Sequence, residues 1–265
     1  MPSSSRRLAA SSSGVHLLSC PRVIAGLVAS AALSPRDLVI DFGAGPGAIT
    51  APLARTGSRV LAVERDPRFV RGLQRRFADT TQVSVVHDDL RTVRLPHRAF
   101  TVVANIPFAV SSPLLRRLLT PATGGFARGE LVVEWGLAKR LTAAVPRDLE
   151  SAWWSTRFDM TLRRRVPASC FTPAPRVDAA HLAIRRSTMD KRTAAVLWAV
   201  LSAAYTRPSA PARTALNHVV PRRLAHRTLG DRRVREVTAD QWARLARLLA
   251  EDRSVVPPPL PRSVR

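Results

Sequence analysis

Asn105-Ile106-Pro107-Phe108 follows directly on the apolar run Phe100 to Ala104. Pro107 has no N–H and a fixed φ, so the carbonyl of Ile106 before it is held pointing outward. The Asn105 amide oxygen and that carbonyl make two acceptors for one amino group, and Phe108 supplies a flat face on which a planar ring can stack. A plain turn closed by Asn and Pro would use the same residue types. Position separates the two readings, because a tetrapeptide at the carboxyl end of a strand lies where open α/β sheets bind ligands.

Further upstream, Leu38 to Gly47 reads Leu-Val-Ile-Asp-Phe-Gly-Ala-Gly-Pro-Gly, an apolar run that ends in an acid and three alternating glycines. The spacing is G-x-G-x-G, not the G-x-G-x-x-G that cradles a pyrophosphate. A second run, Arg59 to Val63, ends in Glu64, placed to accept hydrogen bonds from ribose hydroxyls. A third, Val83 to Val86, ends in His87-Asp88-Asp89. An acid after each of three successive strands, with no lysine or arginine in the glycine loop, favours an adenosine ligand without phosphates, and S-adenosylmethionine fits. His16 stands just ahead of a helical segment, where it either lines a pocket or is simply a partly exposed polar residue.

These residues need a scaffold, and the apolar periodicity supplies one. Strands near 38–42, 59–64, 83–87 and 100–104 alternate with helical stretches near 48–55 and 67–77, and an amphipathic helix is expected over Pro21 to Leu33. Leu131 to Trp135 is another buried run leading into a helix at 136–145, with two further strands near 156–164 and 180–185. That rhythm predicts a doubly wound α/β domain. Beyond Asp190, helices are expected at Thr193 to Tyr205, Arg213 to Val219, Arg222 to Leu229 and Ala239 to Ala250, a small all-α domain whose Trp198 and Trp242 read as core. The expected division is a disordered basic arm at 1–13, a catalytic domain at 14–188, a helical RNA-binding domain at 189–252 and a disordered proline-rich tail at 253–265.

The chain has 265 residues and a formal net charge of +23, and all its cations except Lys139 and Lys191 are arginines. Guanidinium groups fork onto phosphate and stack on bases, so a nucleic-acid partner is the leading inference. Cys20 and Cys170 are far apart in sequence and lack metal-ligand spacing, which suggests neither a disulfide framework nor a metal site and fits a reducing, cytoplasmic setting. No apolar run is long enough to span a membrane, and the N-terminal segment lacks the hydrophobic core of a signal peptide.

Over Gly14 to Arg186 the sequence resembles the rRNA adenine-N6 methyltransferases, within them the Erm type associated with macrolide, lincosamide and streptogramin B resistance. Asp41-Phe42-Gly43-Ala44-Gly45-Pro46-Gly47 resembles the family's D-x-G-x-G-x-G, Glu64 its ribose-binding acid, and Asp88 its adenine-contacting acid. Asn105 to Phe108 matches the catalytic tetrapeptide, Glu134 with Ala138-Lys139-Arg140 the motif after the fifth strand, and Phe171 to Asp178 the F-x-P-x-P-x-V-[DS] signature. Val15-His16-Leu17-Leu18 departs from the family's first motif, because Leu17 stands where an aromatic is usual.

The resemblance implies a Rossmann-like class I S-adenosylmethionine-dependent methyltransferase fold and a cofactor site built from His16, Leu18, Asp41, Gly43, Ala44, Gly45, Glu64, Arg65, Asp88, Asp89 and Asn105. Phe108 and Phe171 would stack on the target base from opposite sides. The RNA would be met by Arg6, Arg7, Arg116, Arg117, Lys139, Arg140, Arg163, Arg164, Arg207 and Arg213. It further implies a monomer without metal that methylates 23S rRNA, protein-free or in a nascent 50S precursor. Dimethylation of 16S rRNA, and RNA binding without catalysis, are the two alternative functions.

Overall fold

A computed structural model of the chain describes residues 16–264, so the arm expected at 1–13, with Arg6 and Arg7, lies outside the described residues. The first half runs β1 (Leu17–Leu18), α1 (Pro21–Ala31), β2 (Leu38–Phe42), α2 (Thr50–Ala54), β3 (Arg59–Glu64), α3 (Pro67–Arg76), β4 (Val83–His87), β5 (Phe100–Asn105) and α4 (Ser111–Leu119). It continues with β6 (Phe126–Glu134), α5 (Trp135–Leu141), α6 (Leu149–Ser155), β7 (Phe158–Val166), β8 (Phe171–Thr172) and β9 (Ala179–Arg186). Four helices follow: α7 (Lys191–Ala204), α8 (Ala212–Ala215), α9 (Arg222–Leu229) and α10 (Ala239–Glu251).

Seven strands form one sheet in the order β4-β3-β2-β5-β6-β9-β7, and β1 pairs with β8 in a separate ribbon. β2 pairs in parallel with both β3 and β5, and β4 and β6 extend the parallel set on either side. The Val, Ile and Leu runs explain this, since all five residues of β2 and the first five of β5 are buried, as strands covered on both faces require. After β2 the chain moves to β3 and β4 on one side, then returns to β5 on the other. The carboxyl ends of β2 and β5 therefore flank a topological switch point, where such sheets take their ligands.

Two compact units divide the described chain. The first holds the residues up to Leu114 with Gly125–Ala138 and Leu162–Ala183; the second holds Leu115–Gly124, Lys139–Thr161 and everything from Ile184 on. This differs from a boundary at 188, for an identifiable reason. Within the second unit the buried Arg157 donates to the carbonyls of Leu119 at 2.8 Å and Pro121 at 2.7 Å, and the Trp153 indole N–H donates to the Thr120 carbonyl at 2.8 Å. Trp153 also meets Trp198 edge-on at 5.2 Å; of the two tryptophans expected in the core, Trp242 is fully buried whereas Trp198 is half-buried. The proline-rich tail, expected to lack structure, ends in a single 3-10 turn, Arg262–Val264, with Val264 buried and its carbonyl accepting from the Ala122 amide at 2.7 Å.

Several elements differ from the sequence expectation. α5 stops at Leu141, and α6 begins afresh behind Asp148, whose carboxylate accepts the Ser151 amide in a capping box. α8 is one turn long, where Arg213 to Val219 was expected.

Candidate active site

Three glycines with left-handed backbone shape the loop after β2. Gly43, Gly45 and Gly47 have φ of 73°, 52° and 84°, a region that L side chains rarely adopt. A Cβ on Gly43 would stand 3.5 Å from Pro107 Cδ and 3.9 Å from the Asn105 carbonyl oxygen, so the first glycine brings the loop directly against the tetrapeptide. At Gly47 a Cβ would meet Leu73 Cδ2 at 2.9 Å, which makes the third glycine a packing requirement of α3. Arg76 on that helix caps the loop, donating to the Pro46 carbonyl at 2.9 Å.

Glu64, at the end of β3, reaches back to the loop. One carboxylate oxygen accepts the Gly45 amide at 2.8 Å and the other accepts the amides of Arg65 and Asp66, both at 2.7 Å. The oxygen that accepts the two amides is saturated, whereas the one that accepts Gly45 keeps lone-pair capacity for a hydroxyl group. Asp41 sits beneath the loop, 1% exposed, and its Oδ2 accepts the Thr50 hydroxyl at 2.7 Å. Burial, helped by the Glu64 charge and opposed by the Thr50 hydrogen bond, pushes its carboxyl up to about 7. Its position suits it to hold the loop on α2, and Thr50, which the sequence reading did not single out, is its partner.

At the end of β4, Asp88 accepts the Asp89 amide at 2.7 Å. Asp89 is engaged elsewhere: Arg91 forks onto it, with Nη2 at 2.6 Å and Arg65 at 3.8 Å, and the Arg91 hydrogen bond holds its carboxyl down at about 2. Asp88 is thus the freer acid on this edge. Ala44 is buried, and Arg65 is exposed.

The ribbon β1–β8 carries the remaining first-motif residues. Leu17 pairs with Thr172 and Leu18 with Phe171. His16 Nδ1 lies 2.8 Å from the Pro173 carbonyl, and its ring is 5.9 Å from that of Phe108. Its own carbonyl accepts Asn105 Nδ2 at 2.8 Å. That bond fixes the amide rotamer, leaving Oδ1 as the end that faces away from His16. The Ile106 amide is tied to the Val132 carbonyl at 3.0 Å, while the Ile106 carbonyl takes no hydrogen bond among the described residues. Two acceptors, Asn105 Oδ1 and the Ile106 carbonyl, therefore stand beside the glycine loop, with half-buried Phe108 next to them. Leu17 Cδ2 lies 3.2 Å from where a Cβ on Gly45 would be, so the residue replacing the usual aromatic still packs on the loop.

Two expectations change. The Phe171 ring is only 4% exposed and belongs to a core cluster with Leu18, Leu27 and Val132, so it offers no open face to a base. Its place in β8, paired with β1, turns it inward. The Leu18 side chain is in the same cluster, which leaves only its backbone for a ligand. Of the basic residues proposed to meet RNA, Lys139, Arg140, Arg163, Arg164 and Arg207 are exposed, whereas Arg116 is paired with Glu150 at 2.7 Å and Arg213 with Asp231 at 2.9 Å. Arg117 is half-buried. Among the described residues no helix is long and apolar enough to cross a membrane, and no group of three or more His, Cys, Asp or Glu is placed to hold a metal ion.

A family profile described as ribosomal RNA adenine dimethylase matches residues 7–251. The chain is 32% identical over 240 residues to an rRNA adenine N-6-methyltransferase of Bacillus licheniformis, covering 87% of this chain and 84% of that protein. It is 36% identical over 256 residues to the mycinamicin-resistance protein MyrB of Micromonospora griseorubida, 93% of this chain and 79% of that one. It is also 32% identical over 261 residues to ribosomal RNA small subunit methyltransferase A of a Synechococcus strain, 89% of this chain and 94% of that protein. The crystal structure of the 23S rRNA methyltransferase ErmE superposes with a TM-score of 0.77 over 87% of this chain and 98% of that one, at 23% identity, a likeness of fold. With the glycine loop, the Glu64 carboxylate and the Asn105 tetrapeptide gathered at one switch point, the chain belongs to the ribosomal RNA adenine dimethylase family and is an S-adenosylmethionine-dependent adenine-N6 methyltransferase.

Proposed function

We propose that this enzyme methylates the exocyclic N6 of one adenine in 23S rRNA, acting as a monomer on protein-free RNA or a nascent 50S precursor in the cytoplasm, and so confers resistance to macrolide, lincosamide and streptogramin B antibiotics. The observation that carries the reading is the Asn105-Ile106-Pro107-Phe108 tetrapeptide in its Erm-like form, with the Asn105 amide nitrogen bound to the His16 carbonyl at 2.8 Å. The likeness to MyrB, named for mycinamicin resistance, supports it.

The N6 nitrogen of adenine is a poor nucleophile, because its lone pair is delocalised into the ring. Asn105 Oδ1 and the Ile106 carbonyl would accept its two hydrogens, favour a pyramidal nitrogen and offset the positive charge that develops there. S-adenosylmethionine, when bound, supplies an already activated methyl group, so no strong base is required. Gly43, Gly45, Glu64 and Asp88 would hold the cofactor, and Asp41 would hold the loop. A stacked base is out of reach, so the adenine must be flipped or lie in a loop, where Phe108 stacks on it. Exposed Lys139, Arg140, Arg163, Arg164 and Arg207 would meet phosphates.

Methylation of 16S rRNA is the second reading, favoured by the likeness to the small subunit methyltransferase of Synechococcus. Transfer of labelled methyl to protein-free 23S and 16S rRNA, with the modified base mapped by primer extension, separates the two. A stop at one adenine of 23S rRNA is expected. Label confined to 16S rRNA would overturn the first reading in favour of the second.

A further inference from the structure

The chain contains two cysteines, 150 positions apart in sequence, and the fold brings their thiols within hydrogen-bonding reach of each other. Cys20 precedes α1, and Cys170 ends a single 3-10 turn before β8. The β1–β8 pairing of Leu18 with Phe171 continues into Ser19, whose amide and hydroxyl both donate to the Cys170 carbonyl, at 2.8 Å and 3.1 Å. Both thiols are free and half-buried, and both pack against the same core cluster, which also touches Phe108.

We propose that Cys20 and Cys170 form a redox-active dithiol, a modification site that closes to an intrachain disulfide across the mouth of the β1–β8 ribbon. The two groups differ in the way such a pair needs. The Val23 amide at the start of α1 holds the Cys20 thiol below its ordinary acidity range, with help from the neighbouring Cys170 thiol. Burial, and then Cys20 itself, push the Cys170 thiol up. Cys20 is therefore the attacking sulfur and Cys170 the resolving one.

The oxidant is a small-molecule disulfide. The Cys20 thiolate attacks one of its sulfurs, forming a mixed disulfide and expelling one small thiolate. That thiolate takes the Cys170 proton, and the Cys170 sulfur attacks Cys20 Sγ and expels the second small thiolate. The second small thiolate takes up the proton that Cys20 released on ionising, so the protein loses two protons and two electrons and the small disulfide is reduced to two thiols. Closure draws the sulfurs to about 2.05 Å, at the end of the same ribbon whose His16 carbonyl orients Asn105. Loss of methyl transfer on closure rests on the function proposed above; formation of the disulfide does not.

The test exposes the full-length protein to graded ratios of reduced and oxidised glutathione, quenches with acid, alkylates the remaining thiols and maps the peptides by mass spectrometry. Both thiols are expected to disappear together into one 20–170 cross-linked peptide, with a mass loss of about 2 Da per chain. In C170S the adduct is expected to accumulate on Cys20, whereas C20S should leave Cys170 slow to react. Stable glutathione adducts on wild-type protein without the cross-link, disulfide-linked dimers, or two alkylated thiols in the most oxidising buffer would each overturn the proposal. On the oxidised sample, methyl transfer is expected to fall severalfold and return with dithiothreitol. Unchanged transfer with the cross-link present would overturn the coupling to the active site, and no transfer in the reduced sample would instead indict the proposed function.

Discussion

Replacing Asp41 with Asn removes a buried ionisable group while keeping an oxygen for the Thr50 hydroxyl, which now lies 2.7 Å from the carboxylate. In the folded protein, burial and the nearby Glu64 charge push this carboxyl from its ordinary 3.8 up to about 7. The sign follows from proton counting. Below the ordinary value both folded and unfolded chains hold the proton, so nothing is lost. As pH rises toward the folded value the unfolded chain ionises while the folded one stays protonated, and stability drains away with pH. Above the folded value the whole penalty is present. A shift of this size corresponds to an upper limit of about 4 kcal/mol, at about 1.4 kcal/mol per unit. D41N should match the wild type near the acid end of the window and become progressively more stable than it toward neutral pH, levelling off above about pH 7. Urea unfolding followed by tryptophan fluorescence, in small steps from about pH 4 to about pH 8, reads the difference directly. A gap that does not change with pH, or a variant less stable at every pH, would refute the assignment of a protonated buried acid beneath the glycine loop.

Four other substitutions probe the scaffold and the RNA surface. Arg157→Ala deletes a guanidinium that is 3% exposed, that caps the Leu119 and Pro121 carbonyls and lies 4.2 Å over the Trp153 ring; a loss of about 3 kcal/mol in urea unfolding is expected. Gly47→Ala, at φ 84° with Leu73 Cδ2 only 2.9 Å from the new methyl, should cost about 2 kcal/mol or more. Gly72→Ala, in α3 with nothing within 4 Å, should instead stabilise by about 0.5–1 kcal/mol, and thermal melts of the pair check the contrast. Arg163→Gln, at an exposed position of β7, should weaken RNA binding alike for all sequences and reduce the salt slope by about one, measured by filter binding at several ionic strengths.

The parts of the site legible in the sequence are those that local patterns determine. β2, β3 and β4 begin and end where their apolar runs do, and the acids that close β2 and β3, Asp41 and Glu64, lie against the glycine loop as their spacing implies. Asn105 is recognisable because strand and tetrapeptide are contiguous. What stayed hidden depends on partners remote in sequence. The pairing of Leu17 with Thr172 has two residues per strand and no pattern of its own, yet it sets His16 and through it the Asn105 rotamer. Phe171 is in the core for the same reason. α4 and α6 are not among the helices read from the sequence, and the seven-residue α6 depends on the Asp148–Ser151 capping box at its start. The meeting of Cys20 and Cys170 is likewise a product of the ribbon, invisible in their spacing.

In the proposed reaction Asn105 Oδ1, aimed by the bond from Asn105 Nδ2 to the His16 carbonyl, accepts a hydrogen from the target amino group while other residues hold the cofactor. Asn105→Ala tests it in one comparison: the single-turnover rate of methyl transfer to 23S rRNA against S-adenosylmethionine affinity by calorimetry. Affinity within about threefold of wild type and a rate lower by about a hundredfold or more are expected. Wild-type transfer by the variant, or a rate loss matched by an equal loss of cofactor binding, would contradict it.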